Sequence, residues 1–138
     1  MTWSIKEGLY MDINIENSFV KKCIKKEYQD RISFELQSKK HRVKALSRFA
    51  HSVENILKNG FIKMSTSEIY SYFGEKAENE MCYIISYSKF DGEKLLLKDA
   101  INFLNASYMA VILISSTFAI IKEEFEKGNS SIYIFKVN

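Results

Sequence analysis

The chain has 138 residues, 46% of them apolar, with 20 basic and 17 acidic side chains, and no proline. That length and apolar content exclude wholesale disorder and fit one domain that buries a core without disulfide or metal staples. The net charge of +3 is unevenly spread: residues 21–58 carry eleven Lys/Arg and four Asp/Glu, a net of +7, and the remainder carries nine and thirteen, a net of −4.

Residues 1–12 are a lead-in whose apolar side chains, Trp3, Ile5, Leu9 and Tyr10, are free to lie on the body of the domain. Asn17 or Ser18 then caps a first helix running to about Leu36. Along it Val20, Cys23, Ile24, Tyr28, Ile32 and Glu35 keep helical spacing, with Lys21, Lys22, Lys25 and Lys26 around the outer side. A short polar join near Gln37 leads into residues 38–60, SKKHRVKALSRFAHSVENILKNG, which read as one amphipathic helix. At about 100° per residue, Val43, Leu46, Ala50, Val53 and Leu57 fall within roughly 80° of one another. Ser38 is the expected cap and Gly60 the expected left-handed stop. Lys40, Lys44, Arg48, His41 and His51 gather on another side, with Lys39 and Arg42 next to them. That side is either a solvated face or an anion or partner surface.

Residues 60–65 form a connector. Ser65 or Thr66 caps a short helix, 67–73, stopped by Gly74, and 75–80 is an acidic loop. The character then changes. MCYIISY at 81–87 reads as a strand buried on both faces, followed by a turn at Asp91-Gly92. A helix over 95–105 places Leu97, Ile101 and Leu104 on one side. Strands follow at 109–115, 118–124 and 131–137, the last two separated by a turn at Gly128-Asn129. The expectation is a single α+β domain, helical over 1–74 and sheet-forming over 81–138. A helical hairpin and a short helix would pack on a four-stranded mixed sheet, β-α-β-β-β, with the first two strands in a parallel crossover. The long helices would cover one face of that sheet.

Cys23 and Cys82 lie far apart within apolar patterns. They predict buried thiols in a reducing compartment, not a disulfide or a metal site. No charged-then-apolar leader opens the sequence, and the most apolar run, 109–114, falls well short of the ~20 residues of a membrane helix. A cytoplasmic location with no membrane partner is expected.

Chemistry has few handles here. There is no Gly-x-Ser-x-Gly elbow, phosphate-cradling glycine loop or dinucleotide fingerprint. His41 and His51 stand ten residues apart with no i, i+4 step to share a metal. No catalytic residue, metal site or cofactor is expected. Nucleic acid is the competing partner, because a Lys/Arg stripe neutralises phosphates. Against it, Tyr83, Tyr87, Tyr133 and Phe135 lie in strands and read as core. Arg48, in SRFAH, also suits a structural ion pair with a carboxylate such as Asp99 or Glu123.

The segments EYQDRISFEL, KALSRFAHSVENIL, CYIIS and FDGEKLLLKDAI resemble small uncharacterised proteins of low-GC bacteria. More loosely, size, composition and the missing catalytic set are similar to bacterial toxin-immunity proteins. That resemblance implies a cytoplasmic, non-enzymatic inhibitor that covers a toxin's active site. Immunity proteins against nucleases are usually acidic, whereas this chain has a pI near 8.7. The resemblance therefore implies either an acidic half facing the toxin (Glu75, Glu78, Glu80, Glu123, Glu124 and Glu126) or a toxin that is not a basic nuclease. The expected partner-binding residues are Lys40, Lys44, Arg48 and His51 on the basic side and Glu78, Glu80, Glu123 and Glu124 on the acidic one. The expected partner is a protein, such as a toxin domain, with a nucleic acid as the alternative.

Overall fold

The computed structural model describes residues 11–124 and 130–136. The lead-in aromatics, Glu126, the Gly128-Asn129 turn and Val137 lie outside the described residues. The fold is α+β, with a helical N-terminal region and a six-stranded sheet. The helices are α1 (Ile13–Cys23), α2 (Lys26–Gln37), α3 (Arg42–Ser47), α4 (Ile69–Phe73) and α5 (Leu97–Ala106). The strands are β1 (Ile62–Ser65), β2 (Met81–Ser86), β3 (Lys94–Leu96), β4 (Val111–Ile114), β5 (Phe118–Lys122) and β6 (Ser131–Lys136).

Two expected long helices are each broken. The first starts earlier, because the Asp12 carboxylate accepts from the Ile15 N–H at 3.1 Å. It stops at Ile24, which pairs in an isolated antiparallel bridge with Leu57. There the Lys25 N–H donates to Ile56 O and the Lys58 N–H to Cys23 O, both at 2.8 Å. Backbone groups spent on that bridge are not available to a helical ladder. The helix then resumes as α2. The expected hairpin between the first helix and residues 38–60 is replaced by one within the first segment, formed by α1 and α2: Gln37 at the end of α2 donates to Asn17 of α1 at 3.1 Å.

Residues 38–60 are not one helix. Ser38 closes α2 and its hydroxyl meets His41 Nδ1 at 2.8 Å. Only the six residues of α3 are α-helical. Ser52 then adopts a left-handed φ of 55°, which turns the chain into a single 3-10 turn over Val53–Asn55. Leu46, Val53 and Leu57 do face the core, but Val43 is 50% exposed. Gly60 keeps its expected left-handed φ, 106°, at a loop and not at a helix end.

The sheet order is β1-β6-β5-β4-β2-β3, and every pairing is antiparallel. The four-stranded mixed sheet is thus corrected to six antiparallel strands. The expected crossover fails because β3 folds back on β2 through the Asp91-Gly92 turn, Gly92 having φ of 84°. The chain then returns through α5 to lay β4 antiparallel on the other side of β2. The expected connector at 60–65 contains the edge strand β1.

Both faces of the sheet are covered, where one was expected to be. Tyr83, Ile85, Ile112, Ile121, Tyr133 and Phe135 face Phe19, Val20, Ile32, Leu46, Phe49 and Val53. Ile84, Leu113, Phe118, Ile120 and Ile134 face Ile69, Phe73, Leu97, Ile101 and Leu104. The alternation follows from the two-residue period of a strand. Burial on both sides explains why the strands read as unbroken apolar runs although none is parallel.

Candidate docking groove

The expected basic stripe is only partly assembled. Lys40 and Lys44 are exposed and make no ion pair with a described residue. Arg48 is spent within the fold, Nε and Nη2 reaching the two oxygens of Glu35 at 2.8 and 2.7 Å. Its structural partner is Glu35 of α2, not Asp99 or Glu123. The bond with Arg48 holds the Glu35 carboxyl below its usual value. His51 Nε2 stands 3.1 Å from Glu124 Oε1.

The acidic candidates fall apart into two sites. Glu80 precedes β2 and accepts from the Thr117 hydroxyl at 3.0 Å, while exposed Glu78 stands 3.9 Å from Lys98. Glu123 and Glu124 follow β5. In the register, Tyr83 sits opposite Ile114 and Val111 opposite Lys122, so these pairs lie at opposite ends of the strands. At about 3.3 Å per residue, no single small contact spans both.

Sequence reasoning placed Arg42 beside the stripe. In the fold it is 5% exposed and holds the domain together. Nη1 and Nη2 donate to the two oxygens of Glu16 in α1 at 2.8 and 2.5 Å. Nε and Nη2 donate to the two oxygens of Asp91 at 2.7 and 3.0 Å, and Nη1 to Leu36 O at 2.7 Å. A guanidinium has five N–H donors, and all are now used. Burial pulls the Arg42 pKa down, but the bonds to Glu16 and Asp91 outweigh it and raise the value overall. Glu16, 1% exposed, also accepts from the Tyr83 hydroxyl at 2.6 Å. Burial, then the Glu16 charge, raise the Tyr83 pKa. With every donor committed, Arg42 is a clamp joining α1, α3 and the β2–β3 loop, and has no donor left for an anion.

Beside this clamp runs a groove. Its wall on α3 is Val43, Leu46 and Ser47, continuing to Ala50, a spacing that places them on one helical side. Tyr87, Met109 and Ala110 form the facing wall. Two adjoining cavities of about 190 and 150 Å³ share Val43, Leu46 and Tyr87. Tyr87, expected in the core, is 61% exposed, and Met109 is 41% exposed. Tyr87 follows the last residue of β2, so the sheet no longer covers it.

The Met109 wall is fixed from below. Lys122, 1% exposed, donates Nζ to Ser107 O, and Met109 O lies 3.4 Å away. Burial lowers the pKa of this lysine. Its side chain ties down the carbonyls of the turn that follows α5, which begins at the cap residue Ser107. The only sequence signal was a lysine closing an otherwise apolar strand, FAIIK.

Among the described residues, no group of three or more His, Cys, Asp or Glu is placed to hold a metal ion, and no helix is long and apolar enough to cross a membrane. Comparison with protein-family models, with curated proteins and with solved structures finds no match for this chain.

Proposed function

We propose that this chain is a non-catalytic protein-interaction module, of the kind that binds and neutralises a bacterial toxin. One observation carries the reading: the groove beside α3 exposes Val43, Tyr87 and Met109 together, above a polar cluster whose guanidinium is fully committed. Exposed aromatic and methionine side chains in one concave place are typical anchors of protein contacts. The walls are fixed before binding, by Arg42 on one side and Lys122 on the other, which lowers the ordering cost of association.

The alternative, a nucleic-acid-binding domain, loses support where two of its four cations, Arg48 and His51, already face carboxylates. The deciding experiment is co-expression of the full chain with toxin domains encoded beside its gene, scored by growth and by co-elution of the complex. Rescue with a stable complex supports the reading. Absence of both for every such toxin, with salt-sensitive retention on single-stranded oligonucleotides instead, replaces it with the alternative.

A further inference from the structure

We infer that the groove beside α3 takes an acidic amphipathic segment of the partner protein. This rests on the interaction reading and adds the chemistry of the occupant. The floor and walls, Leu46, Val43, Tyr87 and Met109, ask for apolar side chains on one side of that segment. The rim supplies the charge sign. Lys39 lines the groove, and Lys40 and Lys44 stand exposed on the same stretch of chain. The two carboxylates that line it offset only part of this charge. Arg42 is shared between Glu16 and Asp91, so that cluster nets −1, and Glu124 beside His51, counted neutral, adds another −1 against the +3 of Lys39, Lys40 and Lys44. The outward field is therefore positive, and it selects a partner carrying Asp or Glu around its apolar anchors.

A second copy of this chain is a poor occupant. A two-fold contact through the groove would bring two rims of the same net sign together, and like charges oppose that docking. A nucleic acid is also a poor fit. Val43, Leu46 and Met109 are aliphatic walls that give bases nothing to stack on, with Tyr87 the one exposed ring among these wall residues.

The test uses the full chain and three synthetic peptides. The first is an acidic peptide with Leu and Phe at i, i+3, i+4 and i+7. The second is its twin with Lys in place of Asp and Glu, and the third a scrambled acidic peptide. Binding is followed by fluorescence anisotropy, and the site is located by amide chemical shifts. The acidic amphipathic peptide should bind at least about tenfold tighter than either control, and Tyr87→Ala should weaken it about tenfold or more. Lys40→Glu with Lys44→Glu should shift preference toward the basic twin. Because Val43, Tyr87 and the lysines are exposed, these variants should keep the parent's thermal midpoint. Equal binding of the acidic and basic twins overturns the inference. So does no binding of the acidic peptide, shifts mapping away from Val43 and Tyr87, or a concentration-dependent dimer that closes the groove. Toxin neutralisation separates the two readings. If Val43→Glu and Tyr87→Ala neutralise as well as the parent, the groove assignment fails while the interaction reading stands. If the parent itself neutralises nothing, the interaction reading fails.

Discussion

Removing the Arg42 guanidinium while keeping its bulk should cost far more than any surface charge in this protein. In Arg42→Met the aliphatic stem is retained, so little packing is lost. Glu16, at 1% exposure, keeps the Tyr83 hydroxyl but loses both guanidinium bonds. Asp91 loses two bonds and retains the Ser86 N–H at 3.1 Å. Stripping one partner from a buried ion pair typically costs about 3–5 kcal/mol, because the charge left behind has neither water nor a counter-ion. For a domain of this size that corresponds to a fall of roughly 10–20 °C in thermal midpoint. Adding Glu16→Gln should return a large part of the loss, since the amide is neutral and still accepts from Tyr83. The two substitutions should therefore be non-additive by about 1–3 kcal/mol in urea unfolding at pH 7. A cost for Arg42→Met within about 1 kcal/mol of zero, or strictly additive costs, would refute the clamp.

Arg48→Ala removes a partly exposed partner from Glu35, itself 4% exposed, and should cost about 1–3 kcal/mol at pH 7. Glu35 has its folded pKa lowered by Arg48, so the stabilisation is present above its ordinary value of 4.5 and is lost as pH falls through the lower folded value. Urea midpoints of parent and variant should therefore draw together as the pH is lowered below 4.5, and a gap that stays unchanged from pH 7 until acid unfolding contradicts the assignment. Burial pushes both the Cys23 and Cys82 thiols up to about 12, so neither should react with DTNB at pH 8 until the protein unfolds. Prompt labelling of one thiol in native buffer would show that its environment is wrong. Gly74 has φ 55° and ψ −128°, and nothing lies within 4 Å of an added Cβ. Gly74→Ala should thus cost about 1–3 kcal/mol through backbone strain alone. A neutral result in thermal unfolding would remove that reason for the glycine.

What was legible in the sequence was burial, and what was not was pairing. The strands at 81–87, 109–115, 118–124 and 131–137 each carry a real strand, because uninterrupted Ile, Val, Leu and Phe leave little alternative. β1 escaped notice, since Ile62, Lys63, Met64 and Ser65 form an edge strand whose pattern is half exposed. The period along 43–57 was also real, since Leu46, Val53 and Leu57 are buried. An i, i+3, i+4 pattern is satisfied equally by a helix and by a chain that turns at Ser52 and keeps the same side inward. The Ile24–Leu57 bridge that breaks the first helix joins residues 33 positions apart and has no local mark. The site follows the same rule. Lys40 and Lys44 stay where their spacing put them, while Arg48 and Arg42 were claimed by Glu35, Glu16 and Asp91 from elsewhere in the chain.

The last described strand is an interior member of the sheet. β6 lies between β5 and β1, and Ile62 sits opposite Ile134, a partner 72 residues downstream. During synthesis at about 5–20 residues per second, the first half must wait several seconds for that partner to emerge. Until then the floor under the helices lacks Tyr133 and Phe135, and β1 has nothing to zip against. A nascent chain stalled before residue 131 would thus leave its ribosome with an open apolar slot, a natural substrate for a holding chaperone.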